Sequence, residues 1–125
     1  MAFSDSDIDQ LNKIVRVNNL EVNVTTAQKG PYTVQISEEI TNRGDKPIYV
    51  KAYDFHLMDD QSGQIYNPSQ QDSFDKSINP GQTERFESFF NIPTTNKPIH
   101  LSLLVSNQDA DGVNRTTKYI DLGQL

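Results

Sequence analysis

Cysteine is absent from the 125-residue chain. That excludes a disulfide framework, a thiolate metal centre and cysteine-based nucleophilic catalysis. Also missing are any apolar run near the roughly 20 residues a membrane-spanning helix needs and the apolar centre of a signal peptide. The opening stretch MAFSDSDIDQ carries Asp5, Asp7 and Asp9 without a base, and does not read as a targeting signal. Basic charge is scarce: 11 Lys and Arg against 17 Asp and Glu leave a net charge of −6. Between Ala52 and Asp75 there is no Lys or Arg, while aspartate stands at 54, 59, 60, 72 and 75. A surface of that sign repels phosphate, so neither nucleic acid nor an anionic membrane is an expected partner. No nucleophile elbow, glycine-rich phosphate cradle or metalloprotease helix occurs, so no cofactor is expected and the chain reads as non-enzymatic.

What is present is alternation. One domain of this length buries roughly 65% of its unfolded surface, enough for a single core without staples. Residues 1–12 read as a flexible tail or short helix, with Ser6 and Asp9 as a candidate capping pair and Ile8, Leu11 and Val15 at helical spacing. From Lys13 the period becomes two. Ile14–Val17 and Leu20–Val24 form a predicted hairpin about Asn18-Asn19, since asparagine tolerates the left-handed conformation of a primed turn. Tyr32, Val34, Ile36 and Ile40 share one parity, with Glu38 as the misfit, so the strand either leaves the core there or is reset by a bulge. A long strand follows Pro47, with its apolar parity slipping from Ile48 and Val50 to Tyr53, Phe55 and Leu57. A bulge near Ala52 is the expected cause. Gln61-Ser62-Gly63 and Pro80-Gly81 are turns, the latter of type II. Phe86, Phe90 and Ile92 share a parity, as do Ile99, Leu101, Leu103 and Val105. Phe74 is the single aromatic residue of the polar segment 67–82, which it is expected to pin to the core.

Seven to eight short strands separated by Gly, Pro, Asn and Asp turns, with no long amphipathic helix, predict an all-β antiparallel two-sheet sandwich. A closed barrel is the structural rival. The ordered fragments IVRVNNLEVNV, TNRGDKPIYV, YDFHLMDDQSGQIY, NPGQTERFESFFNIP and IHLSLLV cover roughly residues 13–106. Together they resemble the telokin-like immunoglobulin-fold domains of unknown function found in secreted proteins and lipoproteins of Gram-positive bacteria. The resemblance implies an immunoglobulin-like sandwich over residues 13–125, extracellular or at the cell surface, anchored by a segment outside this chain. It implies no shared catalytic motif.

The candidate sites are sparse. Tyr49, Tyr53 and Tyr66, with Phe89, cannot all be buried under these parities. Tyrosines on an acidic sandwich face suit contact with a protein or carbohydrate of the cell envelope, or else cover a sheet face under the 67–82 loop. Asp54 and His56 lie beside them, and His56 among Asp54, Asp59 and Asp60 raises a zinc or acid–base reading that lacks an identifiable third ligand. His100 alternates with Ile99 and Leu101 and should face outward. Asn107, Asp109 and Asp111, followed by Gly112, resemble the first half of a calcium loop, but Lys118 occupies the place of the required bidentate glutamate. An irregular calcium site and a polar hairpin connection both remain open. Arg43-Gly44-Asp45 spells an integrin-recognition tripeptide, although glycine and flanking charges are ordinary turn chemistry. The sequence therefore points to a binding module recognising a protein or glycan through residues 49–75, with a structural spacer or accessory subunit of a cell-envelope assembly as the alternative.

Overall fold

The structure, a computed structural model, describes residues 9–69, 75–93, 99–108 and 115–125. Its strands in chain order are β1 (Asp9–Val17), β2 (Leu20–Lys29), β3 (Thr33–Asn42), β4 (Ile48–Lys51), β5 (Phe55–Asp59), β6 (Ile65–Tyr66), β7 (Asp75–Ile78), β8 (Thr83–Asn91), β9 (His100–Gln108) and β10 (Arg115–Gln124). A four-stranded sheet, β1-β2-β3-β8, packs on a second, β10-β9-β5-β6, and β4 pairs with β7 in a small third ladder. Every pairing is antiparallel. This is a β-sandwich. Among the described residues no helix is long and apolar enough to cross a membrane.

The core follows the alternation. Leu20, Val22 and Val24 of β2, Val34, Ile36 and Ile40 of β3, and Leu101, Leu103 and Val105 of β9 are all fully buried. Phe55, Leu57, Ile78 and Phe90 complete the centre of the same cluster. At the first turn Asn18 takes φ of 55°, which is the left-handed conformation asparagine tolerates. Gly81 takes φ of 79° at the Pro80-Gly81 turn, where a side chain would be strained.

Several expectations need correcting. β1 begins at Asp9, so residues 9–12 belong to a strand that shifts register between Gln10 and Lys13, where Asn12 takes φ of 62°. β3 neither leaves the core nor bulges at Glu38. The bulge lies in the neighbouring strand, between Val24 and Thr26, and Glu38 stays on the buried parity with no solvent exposure. The long central strand is two strands. Ala52–Asp54 form a 3₁₀ turn, and the chain passes there from the ladder with β7 to the sheet containing β9. That turn, not a single extra residue, moves the buried parity from Val50 to Phe55 and Leu57; the described residues form ten strands, against the seven to eight expected. Gly44 lacks the positive φ of a left-handed turn. A Cβ placed there would lie 3.0 Å from the side chain of Asn19, so a larger residue fits only where that side chain gives way by a few tenths of an ångström. Phe74 lies outside the described residues.

Candidate functional site

One end of the sandwich is cut by a cleft of about 370 Å³. Its walls come from the β1–β2 turn (Asn18, Asn19), the β3–β4 connection (Asp45–Pro47), β4, the 3₁₀ turn and the adjoining ends of β9 and β10. Buried asparagine chemistry shapes this end. Asn42, fully buried at the end of β3, donates through Nδ2 to the carbonyls of Lys46 (2.7 Å) and Ile78 (2.9 Å), and accepts from the Gly44 N–H at 2.8 Å. Asn18 Nδ2 donates to the Asn107 carbonyl at 3.1 Å and ties the first sheet to the second. The Arg43 N–H donates to the Asn19 carbonyl at 2.7 Å, fastening the β3–β4 connection to the same turn. A cleft built from connections tied in this way is largely formed before any ligand arrives.

Asp54 sets the charge geometry. Its side chain is buried; Oδ2 accepts the Lys51 N–H at 2.9 Å, and Oδ1 accepts from Arg115 Nη2 at 2.7 Å. The carboxylate closes the 3₁₀ turn and fixes a guanidinium in the cleft wall. Lys46 and Lys51 line the cleft as well, against Asp45 and the already paired Asp54. Three cations therefore face two acids, so the cleft is locally basic in an acidic protein. Of the region 49–75 singled out from sequence, Tyr49, Lys51, Tyr53 and Asp54 line it. Tyr49, 64% exposed, and Tyr53, 47% exposed, supply ring area beside the cations.

Replacing Asp54 with alanine is expected to lower stability by about 1–3 kcal/mol, because it uncaps Lys51 and unpairs Arg115. Urea denaturation at neutral pH measures it, with Asp45→Ala, at an exposed position of the β3–β4 connection, as the comparison.

The residues singled out from sequence separate into two groups. Tyr49, Tyr53, Asp54 and Asn107 line the cleft together. His56 and Tyr66 do not. His56 is half-buried on β5, its ring 6.2 Å from that of Tyr53 in an edge-on arrangement. Burial pushes its pKa down, the Arg115 charge lowers it further, and Asp54 opposes both. Tyr66, on the two-residue β6, packs against the core, where burial first and Asp59 second raise its phenol above the usual range. Asn107 is itself buried, and Asp109 and Asp111 lie outside the described residues.

The zinc grouping about His56 is not assembled. Asp59 caps its turn, accepting from the N–H groups of Gln61 (2.9 Å) and Ser62 (3.3 Å), while Asp60 is bonded to Ser102 on β9. Arg43 of the integrin-like tripeptide pairs with Glu21 at 3.0 Å and is not offered freely at a loop tip. Sequence reasoning missed Lys46, Lys51 and Arg115. Nothing local marks Arg115, whose role depends on a carboxylate 61 positions earlier in the chain.

Comparison with known proteins finds a match over residues 9–114 to a family described as "Domain of unknown function (DUF4352)". No curated protein is significantly similar. Among solved structures, the yjhA protein from Bacillus subtilis superposes with a TM-score of 0.70 at 14% identity, covering 90% of this chain and 98% of that one. A "putative lipoprotein (ycdA)" from Bacillus subtilis subsp. subtilis str. 168 gives a TM-score of 0.65 at 13% identity, covering 90% of this chain and 39% of that one. A functionally unknown protein from Listeria monocytogenes EGD-e gives 0.63 at 12% identity, covering 94% and 83%. At such identities the likeness is one of fold.

Proposed function

We propose, from the premise that the chain belongs to the DUF4352 family, that it is a non-enzymatic recognition module of the bacterial cell surface. Its sandwich is read as immunoglobulin-like, of the telokin-like kind, and its end cleft takes a protein segment or glycan that carries negative charge. The observation supporting this reading is the guanidinium of Arg115, held at 2.7 Å by buried Asp54 in a wall shared with two exposed tyrosines. A fixed planar cation suits a carboxylate or phosphate, and tyrosine rings beside it suit a sugar face or peptide side chain. Because the cleft is tied together beforehand, little ordering of its walls opposes binding. The cell-surface element of the reading draws on the lipoprotein designation of ycdA.

The test is direct binding of the labelled domain to an array of acidic and neutral bacterial glycans and to a library of acidic peptides. Preference for carboxylate- or phosphate-bearing members is expected, and Arg115→Ala or Tyr49→Ala should each weaken it about tenfold or more. Equal binding to neutral members, or indifference to both substitutions, rules the cleft out.

A second reading, a structural spacer in an envelope assembly, is favoured by one fact. The sandwich accounts for only 39% of ycdA, so there it is one part of a longer protein. A spacer would bind nothing on either array.

A further inference from the structure

Away from the cleft, the second sheet brings together three side chains from three separate segments. Asp60 follows β5, His100 opens β9, and Asp121 lies near the end of β10. His100 Nε2 is 2.6 Å from Asp121 Oδ1 and 3.4 Å from Asp60 Oδ2. One donor atom from each of the three lies within 4.8 Å of the other two. We propose that Asp60, His100 and Asp121 form a binding site for a zinc-like divalent transition-metal ion, with one imidazole nitrogen and two carboxylate oxygens as ligands.

The geometry is close to what the ion requires. Zinc–nitrogen and zinc–oxygen bonds of about 2.1 Å at tetrahedral angles put neighbouring ligand atoms about 3.4 Å apart. The His100–Asp60 pair already has that spacing, the His100–Asp121 pair must open from 2.6 Å, and Asp60 and Asp121 lie within 4.8 Å of one another. In the metal-free arrangement His100 Nε2 and Asp121 Oδ1 are in direct hydrogen-bond contact, and the ion would take the place of that bond.

The ligands are held from behind, as metal ligands are. Ser102, itself buried, donates from Oγ to the Asp60 carboxylate, 2.9 and 3.0 Å from its two oxygens. The Asp60 N–H donates to the His100 carbonyl at 2.9 Å, fixing those two residues relative to one another. The Gly123 N–H donates to Asp121 Oδ1 at 2.8 Å, across the register shift between Asp121 and Gly123. Gly123 takes φ of 77° there, a conformation that suits glycine and turns its N–H onto the carboxylate.

Donor chemistry selects the ion. Calcium takes six to eight oxygen ligands, and magnesium keeps a shell of waters about one or two carboxylates. An imidazole with two carboxylates favours zinc, cobalt or nickel. The hollow around the three residues, about 380 Å³ and bordered by Gln61, Tyr119 and Gln124, is open to solvent. A fourth coordination position is therefore accessible to water or to an incoming ligand.

The chain has two histidines, which makes the experiment specific. Zinc chloride is titrated into the untagged, metal-stripped full chain while the ring resonances of both histidines are followed by NMR, and calorimetry counts the ions bound. The expected result is one ion per chain, with the His100 ring resonances shifted and those of His56 unmoved. His100→Ala, Asp121→Asn and Asp60→Asn should each weaken binding about tenfold or more. Melting each variant in chelator identifies those that keep the fold, and the carboxamide variants, which preserve shape, carry the test if His100→Ala does not. Movement of His56 alone, no response in excess zinc, or full affinity in folded Asp121→Asn and Asp60→Asn overturns the proposal. Displacement of zinc by an equal concentration of calcium also overturns the donor assignment.

Discussion

Phe90→Ala is expected to cost about 3–5 kcal/mol, the range for removing a fully enclosed aromatic ring from a packed core. Phe90 has no exposure. It pairs with Val34 across the β3–β8 ladder and with Pro68, in an isolated bridge, on the strand's outer side. The segment around Pro68 is fixed by a 2.7 Å bond from the Ser69 N–H to the Phe89 carbonyl, so the vacated space is walled by anchored backbone and collapses poorly. Against a total stability of about 5–15 kcal/mol, such a loss leaves the variant near its unfolding threshold at 37 °C. Phe89→Ala supplies the control: it is the adjacent residue on the opposite face and only half-buried. Urea unfolding of the two variants should give clearly separated midpoints. Coincident midpoints would contradict the orientation of β8.

The second large effect is a pH dependence centred on Glu38. Its side chain is fully buried on the core face of β3, where Oε1 accepts from Ser88 Oγ at 2.6 Å and Oε2 has no partner. Burial pushes its pKa well above the ordinary value of 4.5; the Ser88 bond opposes this and the Glu87 charge adds to it. Between the unfolded and the raised folded value, the folded protein therefore holds a proton that the unfolded chain has released. The sign follows from linkage: where the native state binds more protons, stability falls as pH rises. Glu38 thus favours folding at or below the unfolded carboxyl pKa of about 4.3 and progressively opposes it as pH climbs toward its raised folded value.

Glu38→Gln matches the neutral acid in shape and cannot ionise. It is expected to be more stable than the parent by about 1–3 kcal/mol near pH 8, where the parent must either hold the proton or bury an unpaired charge. The advantage should disappear near pH 4. Denaturant midpoints collected across that interval decide the matter, and an offset independent of pH would show that folding does not raise the pKa of this carboxyl.

Glu38 also marks how far alternation could be read. Leu20, Val22 and Val24, like Leu101, Leu103 and Val105, were legible because strict alternation has one physical cause, a pleated strand with one face in the core. A glutamate on that parity contradicts the pattern unless it is neutral, and neutrality depends on burial supplied by distant residues, working against the bond from Ser88. The break at Ala52–Asp54 was visible as a parity slip. Its form was not, because a 3₁₀ turn is decided by where Asp54 finds the Lys51 N–H and the Arg115 guanidinium.

The cleft was legible in part for the same reason. Exposed tyrosines and an adjacent acid can be recognised along one segment, as Tyr49, Tyr53 and Asp54 were. Lys46, Lys51 and Arg115 change the sign of the site, and their meeting depends on three different connections. The acidic run from Asp54 to Asp60 looked like a single surface. The 3₁₀ turn and β5 divide it, burying Asp54 at the cleft and carrying Asp60 to His100.

β9 runs from His100 to Gln108, with the metal-ligating triad at its first residue and the cleft at its last. Eight steps of extended chain make that span about 26 Å, more than two Debye lengths in physiological salt. Electrostatic cross-talk between the extremities is accordingly screened, and substitutions at one should add to those at the other without interference. The hairpin of β9 and β10 then serves as a rigid strut with independently adjustable tips, so occupancy at either could be altered while the opposite one keeps its affinity.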